Sequence, residues 1–406
     1  MSVTTFKVPV GPQHPALKEP ENFTFTVEGE SIVKAEARVG YAHKGIEKLM
    51  ESKTYLQNIP LVERICGICN TAHTICYTQN VEYLYDKAPP RRAEYLRVLI
   101  EELNRIHSHL LWLGVVGHEV GFDTLFMYVW RDREIILDLI EALTGNRVSM
   151  SFTTIGGTRR DISPQIESKM RKGMDILEER TEYYKRTVPV DPTMLARSKE
   201  VGILTPEEAV QLCAVGPMRR ASAIKEDVRS DDPYAAHDEV PFNVISYDTC
   251  DFYARIMVRV DETLEAINQV RYCLDHMPTG PIRIRLPNTP PIAEAVSKVE
   301  APRGEDVHYV RSNGTDKPAR YKVRAPTLAN LAPLLQTMTS RGKYEVNVAD
   351  IPVLLAGIDP CMCCMDRSVR FVEPSKGKTW VWTMEQLKKY TRKSVRRPLS
   401  GNVAGR

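Results

Sequence analysis

Arg91-Arg92-Ala93-Glu94-Tyr95-Leu96-Arg97-Val98-Leu99-Ile100-Glu101-Glu102-Leu103-Asn104-Arg105-Ile106-His107-Ser108-His109-Leu110-Leu111-Trp112-Leu113-Gly114-Val115-Val116 is the stretch on which the fold turns. Leu, Ile and His recur in it at three- and four-residue spacing, the period that stacks side chains on one face of an α-helix. At 1.5 Å per residue such a helix is roughly 40 Å long, the span of a domain, so it must run through a core. Downstream, 124–143 reads as a second helix closed by Gly145, since glycine suits the left-handed residue that ends a helix. Residues 164–186 form a charged amphipathic helix, and 248–277 and 328–338 carry the same period. Upstream the pattern changes. Segments 7–10, 23–27 and 32–39 alternate or are β-branched and are separated by Gly, Pro and Glu, which predicts strands.

The remainder connects these pieces. Gly156-Gly157 is a break, 229–240 is a polar, Asp-rich loop, and 278–326 is dominated by Pro and Gly with short strand-like pieces such as 307–311. No internal repeat, low-complexity tract or linker interrupts the chain. The expectation is one α+β domain over 1–406, with a mainly helical core of long packed helices. A β-rich N-terminal segment covers 1–40 and a basic tail covers 368–406.

Composition narrows the class. A hydrophobic fraction of 43% and a charged fraction of 26% suit a globular chain, and the longest apolar run, 110–116, is far too short to cross a bilayer. The first residues lack an apolar signal core, so a cytoplasmic location is expected. A net charge of +3 gives no global reason to expect nucleic acid as a partner. After Asp366, however, eleven Lys or Arg face two acids, Glu373 and Glu385. That tail reads either as a solvated basic surface or as a dock for an acidic or membrane-facing subunit.

Nine cysteines without a secretory signal argue against a disulfide framework, and Cys76, Cys213, Cys250 and Cys273 read as buried small hydrophobes. The informative ones are paired: Cys66-Gly67-Ile68-Cys69 and Cys361-Met362-Cys363-Cys364. On a helix, the spacing of Cys66 and Cys69 puts both thiols on one face, where His73 joins them. Asp359-Pro360 reads as a helix start ahead of Cys361 and Cys364, and a helix N-terminus lowers thiol pKa values. Four thiolates brought together by folding make a soft, negative pocket that holds a transition metal or does sulfur chemistry. Structural zinc and an iron–sulfur cluster use the same ligands, but both are usually clasped by local spacings, and here nearly three hundred residues intervene.

The motif Arg64-Ile65-Cys66-Gly67-Ile68-Cys69 with His73, together with Asp359-Pro360-Cys361 and Cys364, resembles the large subunit of nickel–iron hydrogenases, in particular the membrane-bound respiratory type related to complex I. Matching segments run along nearly the whole chain: Gly11-Pro12-Gln13-His14-Pro15, Arg105-Ile106-His107-Ser108-His109-Leu110, Gly114-Val115-Val116-Gly117-His118, Ala214-Val215-Gly216-Pro217 and Glu300-Ala301-Pro302-Arg303-Gly304. The resemblance implies that Cys66, Cys69, Cys361 and Cys364 bind nickel, two of them bridging to iron. It implies that Arg303 overhangs the metals and that Glu19, in Leu17-Lys18-Glu19-Pro20, transfers protons. His73, Arg64 and Asp359 would support the ligands. Implied partners are an iron–sulfur small subunit carrying a proximal 4Fe–4S cluster, other peripheral-arm and membrane-arm subunits, and ferredoxin as indirect donor. The implied place is the cytoplasmic side of the membrane, peripherally attached.

Three departures bend that expectation. Cys363 and Met365 stand where membrane-bound hydrogenases commonly carry other residues. The sequence continues from Ser368 to Arg406, whereas hydrogenase large subunits are cut soon after the second motif once nickel is inserted. Gly40-Tyr41-Ala42-His43-Lys44-Gly45-Ile46-Glu47 and Gly11-Pro12-Gln13-His14-Pro15 look closer to the quinone-site subunit of complex I. The chain is similar in this intermediate character to the membrane-bound sulfane sulfur reductases of archaea. The leading expectation is therefore a ferredoxin-linked reductase of sulfane sulfur coupled to ion translocation. A hydrogenase is the alternative, followed by a quinone-type reductase or a non-catalytic scaffold.

Overall fold

The computed structural model describes residues 5–15, 17, 19–361, 369–373 and 378–382. Three strands open the chain: β1 (Thr5–Val10), β2 (Asn22–Glu28) and β3 (Ser31–Arg38). They form one antiparallel sheet in sequence order. Period-two alternation decides its inner face, since Phe23, Phe25 and Val27 of β2 are buried while their neighbours are only half-covered.

Five helices follow: α1 (Ile46–Met50), α2 (Tyr55–Glu63), α3 (Asn70–Leu84), α4 (Arg91–Glu119) and α5 (Asp123–Thr144). Helix α5 ends at Gly145 with φ +82°, as its sequence requires. The two-residue strands β4 (Thr153–Thr154) and β5 (Gly157–Thr158) lead into α6 (Pro164–Thr187), whose Ser163 accepts a hydrogen bond from the Ile166 N–H. Short helices α7 (Pro192–Ser198), α8 (Pro206–Gln211), α9 (Pro217–Arg220) and α10 (Val228–Asp231) precede the long α11 (Phe252–Asp275). A second antiparallel sheet consists of β6 (Glu294–Ala301), β7 (Gly304–Ser312) and β8 (Pro318–Arg324). Then come α12 (Pro326–Thr337), a 3₁₀ turn, α13 (Ile351–Gly357), and the paired strands β9 (Val369–Glu373) and β10 (Lys378–Trp382).

The largest apolar cluster lies between α4, α5, α6 and α11, with Leu96, Leu99, Leu103, Ile106, Leu139, Ile140, Met170, Ile256 and Val260 fully or almost fully covered. Trp112 ties three of the pieces. Its indole N–H donates to the Ala356 carbonyl at 2.6 Å, and the Arg259 guanidinium lies 4.0 Å from the ring centroid. Truncating a side chain so enclosed costs about 3–5 kcal/mol.

Two sequence expectations need correction. The segment 278–326, expected as Pro/Gly-rich connection with short strand pieces, contains a three-stranded sheet whose strands run to nine residues. Charged residues at alternate positions, as in Ala319-Arg320-Tyr321-Lys322-Val323-Arg324, are what a half-buried strand shows, but the flanking Pro and Gly masked the period. The Asp-rich loop 229–240 is not simply surface: Arg229, Tyr234, His237 and Val240 are buried. Its polar groups find partners inside the molecule, which is the condition for burying them.

Candidate functional site

The first cysteine pair sits between α2 and α3. Cys66 is not helical; the backbone turns around its sulfur, and the N–H groups of Ile68 and Cys69 each reach Sγ at 3.4 Å. Cys69 is the residue before α3, and His73 lies one turn into that helix. The shared-helix-face expectation thus holds only for Cys69 and His73. Converging N–H groups at a helix start favour a thiolate there.

The second motif arrives differently from expectation. Helix α13 ends at Gly357, Asp359 adopts φ +52°, and Cys361 follows in irregular backbone, its N–H donating to the Thr327 hydroxyl at 2.9 Å. Asp359-Pro360 therefore opens no helix among the described residues. Cys361 nevertheless joins Cys66 and Cys69 in one buried cluster with Ala72, Val228, Tyr234, Val299 and Ala301. Cys363 and Cys364 lie outside the described residues, as does Met365.

Arg303 joins the two motifs. Its Nη1 donates to Cys66 Sγ at 3.6 Å, its Nη2 to Asp359 Oδ1 at 2.8 Å and its Nε to the Asp359 carbonyl. The guanidinium is almost wholly buried. It is held there by a backbone contact: Gly304 has φ +123° and Gly216 φ +65°, and a Cβ on Gly216 would stand 2.3 Å from the Gly304 Cα. Two of the sequence segments, 214–217 and 300–304, thus meet at their glycines.

Electrostatics follow from these contacts. Hydrogen bonds from Cys361 and Cys69, then the charges of Arg303 and His73, hold the Cys66 thiol well below its usual range. Hydrogen bonds with Cys361 and Cys66, and burial, push Cys69 well above it although His73 pulls the other way, so the two thiols of the pair are driven in opposite directions. His73 lies beside Asp306 at 2.8 Å, and that carboxylate, with Cys69, raises the imidazole well above its ordinary value against the cost of burial. Burial raises Asp359 despite Arg303.

Two candidates fall elsewhere. Glu19 is half-buried on the loop between β1 and β2, where its charge helps burial push Glu21 up to about 8. Arg64 is exposed and donates to the Pro60 carbonyl. The residue that closes α2 points outward, so the support expected from Arg64 is not what the structure shows.

Sequence reading missed a buried ionic network behind the thiols. Arg220 bridges Glu262 at 2.7 Å and Glu300 at 2.8 Å, and Glu262 meets His109 at 3.0 Å. Arg229 joins Asp227 at 2.8 Å and Glu102 at 3.1 Å, and Arg105 joins Glu102 at 2.9 Å. All are buried. A signal was present: Glu101, Glu102, Arg105 and His109 lie within a helix already expected to cross the core. A cavity of about 310 Å³, lined by Arg219, Asp227, Lys298, Glu300 and Arg324 among others, opens onto this network.

Comparison with known proteins agrees with the geometry. The model of the 49 kDa subunit of respiratory-chain NADH dehydrogenase matches residues 119–292 and 286–367, and the nickel-dependent hydrogenase model matches 44–114. The membrane-bound hydrogenase subunit alpha of Pyrococcus furiosus is 37% identical over 98% of this chain and 95% of its own length. The carbon monoxide-induced hydrogenase of Rhodospirillum rubrum is 37% identical over 90% of this chain and 100% of its own. A chain from the structure of the membrane-bound sulfane sulfur reductase, an archaeal respiratory membrane complex, superposes with a TM-score of 0.84 at 29% identity, covering 90% of this chain and all of that one.

Proposed function

Because the chain belongs to the family that joins the 49 kDa subunit of respiratory-chain NADH dehydrogenase to the nickel-dependent hydrogenases, we propose that it is the catalytic large subunit of a membrane-associated respiratory complex interconverting protons and dihydrogen. The observation that carries this reading is the burial of the thiols. Cys66, Cys69 and Cys361 are each at most 4% exposed. Protons and dihydrogen can reach such a site through atom-sized gaps, whereas a polysulfide chain needs an open groove.

The donor set fits nickel and iron. Three buried sulfurs converge, hydrogen bonds and charge favour the ionised form of Cys66, and a fixed cation stands beside it. Cys66, Cys69 and Cys361, with Cys364 as fourth, would hold a nickel–iron centre, which when bound would supply the two-electron redox chemistry. The rest belongs to this chain's own side chains. Arg303 turns one arm of its guanidinium fork, Nη1, onto Cys66 Sγ and balances the charge of the cluster. Asp359 fixes that fork through the backbone carbonyl and one carboxylate oxygen. His73 keeps a proton on its ring beside Cys69, and the apolar cover of Ala72, Val299 and Ala301 excludes water.

Electrons would come from an iron–sulfur small subunit with a proximal 4Fe–4S cluster, fed by reduced ferredoxin. No helix among the described residues is long and apolar enough to cross a membrane, so attachment would run through other subunits, on the cytoplasmic face.

A second reading, reduction of sulfane sulfur, is favoured by the TM-score of 0.84 to the sulfane sulfur reductase chain and by Cys363 next to a ligand position. A thiolate would attack the terminal sulfur of a polysulfide, forming a persulfide on the cysteine and expelling the polysulfide shortened by one sulfur; two electrons and one proton would then cleave the persulfide, releasing hydrosulfide and restoring the thiolate. Burial puts this second, although the sequence alone put it first. The purified complex, given reduced ferredoxin, distinguishes them. Dihydrogen without polysulfide-dependent sulfide supports the first reading; sulfide without dihydrogen would replace it by the second.

A further inference from the structure

Beside the cysteines, three other side chains converge. His73 Nδ1 lies 2.8 Å from Asp306 Oδ2 and 3.1 Å from His308 Nε2, and His308 Nε2 lies 3.1 Å from the same Oδ2. All three residues are at most 1% exposed. His73 comes from α3, one turn after Cys69. Asp306 and His308 come from β7, two positions apart and so on one face of the strand.

This triangle is poorly served by hydrogen bonds alone. Where the two rings share a hydrogen between them, that hydrogen is unavailable to the carboxylate. Asp306 Oδ2 stands within ion-pair reach of both ring nitrogens, so both contacts compete for the hydrogens the two rings also share, and Oδ1 has no hydrogen-bond partner among the described residues. Leaving a buried carboxylate short of donors is expensive, and a cation at the centre would satisfy all three atoms together.

The dimensions suit a particular coordination. Metal–ligand bonds of about 2.1 Å at right angles place neighbouring donors about 3.0 Å apart, whereas tetrahedral angles place them about 3.4 Å apart. The observed edges of 2.8, 3.1 and 3.1 Å are those of an octahedral face. Two imidazoles and one carboxylate on such a face are the donors preferred by ferrous iron and also accepted by zinc. His308 is already oriented as a ligand would be, since its Nδ1 is 2.5 Å from the Tyr321 hydroxyl, which fixes the ring and directs Nε2 at the triangle. Asp306 Oδ1, without a hydrogen bond among the described residues, is a further donor at the same place.

We propose that His73, Asp306 and His308 form a second metal site, liganded by nitrogen and oxygen, for a divalent first-row ion of the ferrous or zinc class. The site is independent of whatever the thiols hold. Its ion locks α3 to β7 and fixes the ring that contacts Cys69.

The test uses the purified complex, stripped with a chelator and then supplied with Zn²⁺ alone. Metal per chain is measured together with the X-ray absorption shell of the bound ion, in the wild type, in Cys66→Ser, in Asp306→Asn and in His308→Gln. The site predicts about one ion with a shell of nitrogen and oxygen only, retained in Cys66→Ser and reduced about tenfold or more in the Asp306 and His308 variants. Absence of such an ion from the wild type, sulfur in its shell, or full retention in Asp306→Asn would overturn the proposal. Should His308→Gln fail to assemble, Asp306→Asn, which preserves shape, and the wild-type shell decide the matter.

Discussion

Arg303 shows how much one side chain can organise. Its three hydrogen bonds reach a sulfur from the first motif and both oxygen types of Asp359 in the second. Lysine would keep the charge and lose the fork. Arg303→Lys is therefore expected to lower turnover about 10- to 100-fold while the complex still assembles, measured as dihydrogen evolution per assembled complex. Turnover equal to wild type would remove Arg303 from the account. Glu21 gives a separate residue-scale expectation. Burial, aided by Glu19, raises its carboxyl from 4.5 to about 8, and among the described residues neither oxygen has a hydrogen-bond partner. Such an acid stays protonated in the fold while the unfolded chain ionises. Its favourable contribution is whole below pH 4.5 and disappears as pH rises through about 8. Glu21→Gln should flatten the decline of thermal stability across that window, and parallel curves for the two proteins would contradict the assignment. The thiols and Arg303 could be read from sequence because their motifs are local and chemically distinctive. Asp306 and His308 could not: a carboxylate and an imidazole two positions apart on a strand look like any polar face until α3 brings His73 against them.

At the scale of elements, the glycine contact between segments 214–217 and 300–304 sets where Arg303 can stand. Adding one carbon at Gly216 would place it 2.3 Å from the Gly304 Cα, backbone against backbone, with no side chain to yield. Gly216→Ala should cost several kcal/mol or displace Arg303, read as a drop in melting temperature together with lost turnover. A stable, fully active variant would show that the contact does not position the guanidinium. The buried network makes a comparable case. Arg220→Met leaves Glu262 and Glu300 without their cation, and breaking one partner of such a group costs about 3–5 kcal/mol. Unfolding by denaturant measures it, and a change below about 1 kcal/mol would mean the acids find other partners. The long helices α4, α5, α6 and α11 were legible because many turns repeat one period. The sheet β6–β7–β8 was not, because Pro and Gly at its turns dominate a short window. The Cys66 turn was left open by its spacing for a related reason: three residues between thiols suit a curled loop as well as a helix.

Across the described residues, four long helices and two three-stranded sheets hold two motifs, far apart in sequence, around one buried cluster of sulfur. That convergence, rather than any single residue, carries the functional reading, and family membership over nearly the full chain agrees with it. The class of site was therefore visible in the sequence, and its chemistry depends on what the sulfurs hold. The most direct measurement is nickel per chain in the purified complex, with its coordination shell read by X-ray absorption and compared with Cys66→Ser. The account predicts about one nickel per chain in a sulfur-dominated shell, lost in the variant together with dihydrogen evolution. Nickel-free complex that still turns over at these thiols would contradict it.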